Sequence, residues 1–300
     1  MGQDAAAEHI LRDRGFPAAR RAESFIICEA LMDITKFYAD PNERPLDVIK
    51  PDGGFTGIFR TVACIGDSLS SGEFESTSPD GGKGYHDLFE YSWGQYIARA
   101  AGLKAYNFSR GGMTAKEYLE SWGEANGVWD PDKAAQAYII ALGVNDLFGL
   151  RQELGTADDI DPENPENNKP TFAGMYGKII QRYKAISPKA RFFLMTMPRE
   201  SSAWQDNPGD RIHRDHALLL RDIAAKFDFT YLIDLWEYGP VYDAQFKYNF
   251  YLGGHLNAAG YLLTAEMVMS YIDYIIRHNP EDFAQVGFIG TPWHNAERKW

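Results

Sequence analysis

Short apolar runs rich in β-branched and aromatic residues alternate with longer stretches of helical spacing between about residues 58 and 276, and this alternation narrows the fold more than any other feature of the 300-residue chain. The apolar runs are Ile58–Ile65, Lys104–Phe108, Ala137–Leu142, Arg191–Met195 and Thr230–Ile233. Helical spacing fills Tyr91–Ala101, a segment opening at Thr114, Phe172–Ile186, Arg211–Phe227 and Asn257–Ile276. Strands joined through helices pair in parallel, and a parallel sheet needs both faces covered. The predicted fold class is therefore α/β: a three-layer α/β/α sandwich around a parallel sheet.

With 45% hydrophobic residues the chain has enough apolar side chain for one sizeable core, and we expect one main domain over residues 58–279. Residues 1–57 read as a helical extension. Phe25, Ile26, Leu31, Ile34 and Phe37 recur at helical intervals, with a break near Gly15–Pro17 and a turn-rich stretch from Pro41 to Gly57. The tail, residues 280–300, carries Phe283, Phe288, Trp293 and Trp300, too many aromatics for a free end, and is expected to pack on the body or on a partner subunit. A homo-oligomer built through the extension and the tail is left open.

The formal net charge of -12 disfavours nucleic acid and anionic membrane surfaces as partners. Cys28 and Cys64 make neither a disulfide framework nor a metal quartet and read as free thiols. No apolar stretch reaches bilayer length, and Met1–Arg14 is polar, so a cytoplasmic location is expected. The acidic segment Arg151–Pro170 lacks calcium-loop spacing and reads as a solvated insertion, while Gly81–Gly84 reads as a flexible loop walling the site. With no His-Glu-x-x-His helix, Cys-x-x-Cys pair or Walker loop, neither metal nor cofactor is predicted.

In open parallel sheets ligands bind beyond the carboxyl ends of the strands, so chemistry is sought there. Four blocks stand at such places. Gly66-Asp67-Ser68 follows the first run, and a serine on so tight a turn suits a nucleophile. Asn107-Phe108-Ser109-Arg110-Gly111-Gly112-Met113-Thr114 follows the second; glycine lets a backbone N–H approach a ligand closely. Gly143-Val144-Asn145-Asp146 follows the third, where the Asn145 amide can donate to the same point. Gly253-Gly254-His255-Leu256-Asn257 places a histidine just before the last helix.

Together and in this order, the four blocks resemble the SGNH/GDSL hydrolases, serine esterases and lipases of flavodoxin-like fold named for the Ser, Gly, Asn and His of their motifs. The resemblance runs from about Thr61 to Ile276 and maps those residues onto Ser68, Gly112, Asn145 and His255. Gly112 is preferred to Gly111 because it stands two residues before Thr114, as in the family's block. The resemblance implies Ser68 as nucleophile and His255 as its base. The oxyanion hole would be formed by the Ser68 and Gly112 N–H groups with the Asn145 amide, with no cofactor. One position departs: the family's Asp three residues before the His is Leu252 here. A backbone carbonyl, or a carboxylate such as Asp234 or Asp243, would have to orient the imidazole instead; Asp234, following Tyr231–Ile233, reads equally as a helix N-cap before Leu235.

Ser71-Gly72-Glu73 and Trp93-Gly94 look similar to bacterial carbohydrate esterases, and aromatics such as Tyr85, Tyr91, Trp122 and Tyr251 near the blocks suit sugar rings. The expected substrate is therefore a small-molecule or oligosaccharide ester, carrying a short acyl group such as acetyl. Two alternatives stand beside it. A thioesterase or lysophospholipase would show an apolar tunnel leading from Ser68, and a non-catalytic carbohydrate-binding protein would show His255 turned away.

Overall fold

The computed structural model describes residues 39–200 and 208–296. Residues 1–43 and 44–300 are separate units. Of the first, the described part is a turn closed by the Glu43 N–H donating to the Asp40 carbonyl at 3.0 Å. The helices expected within Ala5–Tyr38, and Cys28, lie outside the described residues.

In the second unit the order is β1 (Thr61–Gly66), α1 (Ser68–Ser71), β2 (Glu73–Thr77), β3 (Lys83–Asp87), α2 (Trp93–Ala101), β4 (Lys104–Ser109), α3 (Ala115–Glu117), α4 (Gly123–Ala125), β5 (Ala137–Ala141) and α5 (Phe172–Ile186). Then come β6 (Arg191–Met195), α6 (Pro208–Lys226), β7 (Thr230–Ile233), α7 (Leu235–Tyr238), α8 (Ala244–Phe250), β8 (Tyr251–Leu252), β9 (His255–Leu256), α9 (Ala258–His278) and α10 (Pro280–Phe283). Five strands form one sheet in the order β4-β1-β5-β6-β7. Every pairing in it is parallel. This is the three-layer α/β sandwich expected.

Strand periodicity divides the core in two. Ala63, Ile65, Tyr138, Ile140, Phe192 and Leu194 face one layer, which Phe172, Tyr176, Leu220 and Ile223 cover from α5 and α6. Val62, Cys64, Ala137, Ile139 and Phe193 face the other, covered by Trp93 and Ile97 of α2 and Val268 and Ile272 of α9. Phe283, Val286 and Ile289 of the tail join this second cluster. Gln136 Nε2 donates to the Val286 carbonyl at 3.0 Å, which fixes the tail to the start of β5.

Three local readings change. The helix opening at Thr114 is interrupted, because Tyr118–Trp122 widens into a π turn between α3 and α4. Tyr118 is held in place by its hydroxyl, 2.6 Å from that of Tyr183, and a Cβ on Gly123 would meet Trp129 Nε1 at 2.6 Å. The acidic segment is not wholly solvated: Asp159 is buried, paired with Lys169 at 2.7 Å, and accepts from Thr156 N–H at 3.0 Å. Gly81–Gly84 lies not in a flexible loop but at the turn and first residues of the antiparallel hairpin β2–β3.

The α2 helix lies close on β1 because Gly94 has no side chain; a Cβ there would run into Cys64 Sγ. Gly94→Ala is expected to destabilise the protein by about 1–3 kcal/mol through overpacking. Cys64→Ala in the same chain should recover most of that loss. Chemical denaturation of the single and double variants checks this, and equal losses in both would refute the contact.

Candidate active site

The register of the sheet brings the motif blocks together. Gly66 pairs with Ser109 of β4 on one side and Ala141 of β5 on the other, so three strands end level at one edge. β1 lies where the chain order reverses, the usual place for a ligand crevice.

Ser68 opens the single turn α1. Asp67 caps it, its Oδ1 accepting from Leu69 N–H at 3.0 Å. A Cβ on Gly66 would strike Ser70, so only glycine lets α1 fold back on the end of β1. The Ser68 carbonyl accepts from the Ser71 hydroxyl at 3.2 Å. Tyr261 of α9 sets its hydroxyl 2.7 Å from the Glu73 carbonyl and 3.4 Å from that of Ser68, joining the serine turn to β2.

Gly112 has φ +72 and open space where a Cβ would stand, so its glycine serves the backbone conformation. Gly111 is different: a Cβ there would collide with the Glu73 carboxylate. The Asn145 amide nitrogen lies 3.4 Å from Asp67 Oδ2 and 3.2 Å from the Met113 carbonyl, linking the first three blocks. Asp146 extends the link, its Oδ1 accepting from Ala115 N–H, at the start of α3, at 2.8 Å.

His255 stands on β9, opposite Leu252 in the short β8–β9 ladder. Its ring lies between two glutamates of β2. Nε2 is 3.0 Å from Glu73 Oε1. Nδ1 is 3.8 Å from Glu75 Oε2. Tyr85 of β3, 55% exposed, meets the imidazole edge-on with ring centroids 5.8 Å apart. Burial pushes the Glu73 carboxyl up, His255 opposes this, and Asp87 adds to it.

Asp234 does not reach the histidine. It caps α7, accepting from Glu237 N–H at 3.0 Å, and pairs with Arg221 at 2.8 Å. Asp243 likewise caps α8, accepting from Phe246 N–H at 2.9 Å. Strand ends and helix starts coincide here, so an acid following a strand is taken up by capping.

Beside the serine and histidine turns lies a cavity of about 380 Å³, at the carboxyl ends of β1, β5, β6 and β7. Asp67, Leu69, Val144, Met195, Tyr251 and Gly253 are among its walls. Among the described residues no group of three or more His, Cys, Asp or Glu is placed to hold a metal ion. Among them, too, no helix is long and apolar enough to cross a membrane.

The model of the GDSL-like lipase/acylhydrolase family matches residues 64–263, which carry all four blocks. The chain belongs to that family. It is a carboxylic ester hydrolase. Comparison with curated proteins finds no match. Among solved structures, a protein from Lactobacillus plantarum is 17% identical, with a TM-score of 0.51 over 72% of this chain and 97% of its own. A carbohydrate esterase family 2 enzyme with a carbohydrate-binding domain from Corynascus thermopiles (Myceliophthora fergusii) is 17% identical, with a TM-score of 0.50 over 76% and 67%. At such identity they establish the shared fold.

Two buried carboxyls of this GDSL-family site face little water. Desolvation lifts Asp67 to about 7, against the Leu69 N–H that favours its charged form, and lifts Asp146 to about 6. Asp146 Oδ2 is buried and, among the described residues, has no hydrogen-bond partner. A carboxyl whose pKa is raised on folding binds its proton more tightly in the folded state. Its contribution to stability is therefore present at low pH and lost as pH rises through about 6. Asp146→Asn keeps the acceptor for Ala115 and removes the charge, so its Tm should exceed that of the native chain at pH 8, with the difference closing by about pH 4. Thermal scans across that range test this. A variant less stable at pH 8 than at pH 4, relative to the native chain, would show that the carboxylate is paired after all.

Proposed function

We propose that the chain hydrolyses esters through an acyl-enzyme on Ser68, with His255 as base and the Ser68 and Gly112 N–H groups and the Asn145 amide as oxyanion donors. The observation that carries this reading is the level ending of β1, β4 and β5, which gathers their three turns at one edge. Ser68 Oγ attacks the acyl carbon and passes its proton to His255 Nε2; the departing alcohol takes that proton, and water repeats the sequence to release the acid. Glu73 competes with Ser68 for Nε2, so the productive geometry has the Glu73 carboxyl turned off that nitrogen. The 3.4 Å contact of Asn145 with Asp67 is its longer one and the one an oxyanion would replace.

For the substrate we favour a short-acyl, acetyl-type ester of a carbohydrate. Tyr85, half exposed beside His255, offers an aromatic face on the alcohol side of the site. A second reading has its own support: the cavity beside the serine turn is walled largely by apolar side chains and has room for an acyl chain longer than acetyl. It points to a thioesterase or lysophospholipase.

Ser68→Ala is expected to reduce hydrolysis of p-nitrophenyl acetate to the uncatalysed rate, and Asn145→Ala to lower kcat about 10²–10³-fold. Full activity in Ser68→Ala would remove the serine mechanism. Comparing acetate with octanoate esters, and with an acetylated oligosaccharide, separates the substrate readings. A marked octanoate preference would favour the longer acyl chain.

A further inference from the structure

We propose that Glu75 is the positioning acid for His255, standing in from the β2–β3 hairpin for the aspartate that Leu252 replaces. This rests on the reading of Ser68 and His255 as nucleophile and base. A catalytic imidazole needs an acceptor at Nδ1: with the proton held there, Nε2 keeps its lone pair for the serine, and the imidazolium formed on attack is stabilised. Leu252 lies directly across the ladder from His255 and offers only an aliphatic side chain.

His255 Nδ1 is buried and, among the described residues, has no hydrogen-bond partner. Glu75 Oε2 lies 3.8 Å from it, a distance that a shift of about 1 Å turns into a hydrogen bond. Catalytic hydrogen bonds are often long until substrate is bound.

Glu75 is held for this role. It is 6% exposed, its Oε2 accepts from Gly254 N–H at 2.7 Å, and its Oε1 pairs with Lys83 at 2.6 Å. These two donors keep its carboxyl below the usual carboxylate range. The turn carrying His255 is shaped around it. Gly253 has φ +70, and a Cβ there would lie 2.6 Å from Oε1 and 2.7 Å from Oε2 of Glu75. Glu75 thus grips the residue next to His255 while facing the imidazole. In the reaction the Nδ1–H donates to Glu75, the Ser68 proton goes to Nε2 and then to the leaving alcohol, and Glu75 stays ionised throughout.

The test uses the full chain, with two readouts: p-nitrophenyl acetate kinetics and the rate at which a fluorophosphonate labels Ser68. Glu75→Gln should remain folded by circular dichroism, lose about a hundredfold or more in kcat and labelling rate, and keep KM within about threefold. Leu252→Asp added to it should restore at least tenfold, since directly paired strand residues project from one face. A merely structural glutamate would not be rescued from across the ladder. A folded Glu75→Gln with native kcat and labelling overturns the proposal, as does a folded double variant with no recovery. If Glu75→Gln fails to fold, Glu75→Asp, which keeps the charge but shortens the reach, replaces it: a tenfold or greater loss in kcat supports the role and an unchanged kcat refutes it. Labelling and hydrolysis that persist in Ser68→Ala would remove the serine reading itself, whereas their loss there with native behaviour in Glu75→Gln removes only the role of Glu75.

Discussion

β1 is buried on both faces and hydrogen-bonded on both edges, and the site is a consequence of that confinement. A strand so placed has no freedom of register, and its last residue is fixed level with the ends of β4 and β5. Beyond its last residue each strand must leave the sheet at once, because the layers above and below are filled by Trp93, Tyr118, Phe172 and Tyr261, each almost wholly buried. The three turns have one direction available, and they converge there.

Convergence sets polar groups where water hardly reaches. Asp67 and Asp146 are almost fully buried, and each satisfies backbone N–H groups at the start of a helix next to the site. Each buried carboxyl costs stability when ionised. In return, each spans two elements that the sheet alone does not join: Asp146 ties the turn after β5 to α3, and the amide of Asn145 ties that same turn to Asp67 and Met113. Donors serve an oxyanion only if they need not reorganise, and for the proposed oxyanion role of Asn145 the contacts that would stay in place are those of its amide with the Met113 carbonyl and of Asp146 with Ala115.

Most of the fold was legible because the strands of a parallel sheet carry long apolar runs and their helices carry spaced ones. Phe172–Ile186, Arg191–Met195 and Thr230–Ile233 fall where hydrophobic periodicity places them. The β2–β3 hairpin was not legible. It lies outside the central sheet, and Glu73-Phe74-Glu75-Ser76-Thr77 has no apolar face to announce it. Its one signal is the pair Glu73 and Glu75, two residues apart and hence on one side of an extended strand, shortly after the serine. Asp234 stayed open between two readings for a physical reason: position after a strand marks a cap as readily as a catalytic acid, and only the Arg221 and Glu237 contacts tell them apart.

An aspartate at position 252 would keep acid and base on one short turn, whose geometry is set by a few bonds. In this chain the carboxylates facing His255 come from a hairpin about 180 residues earlier, so the imidazole environment depends on how that hairpin docks. The docking is held by Glu75 on Gly254, by the Tyr261 hydroxyl on the Glu73 carbonyl, and by Leu88 N–H donating to Gly72 O at 3.0 Å where the hairpin closes. Lys83, 60% exposed, balances the charge of Glu75 from outside without itself being buried. The same hairpin carries Tyr85 against the edge of the imidazole, so under the proposed mechanism one element would both orient the base and flank it with an exposed aromatic ring. On that mechanism, substitutions in the hairpin that alter what meets Tyr85 would also move His255, coupling the two through one pair of strands.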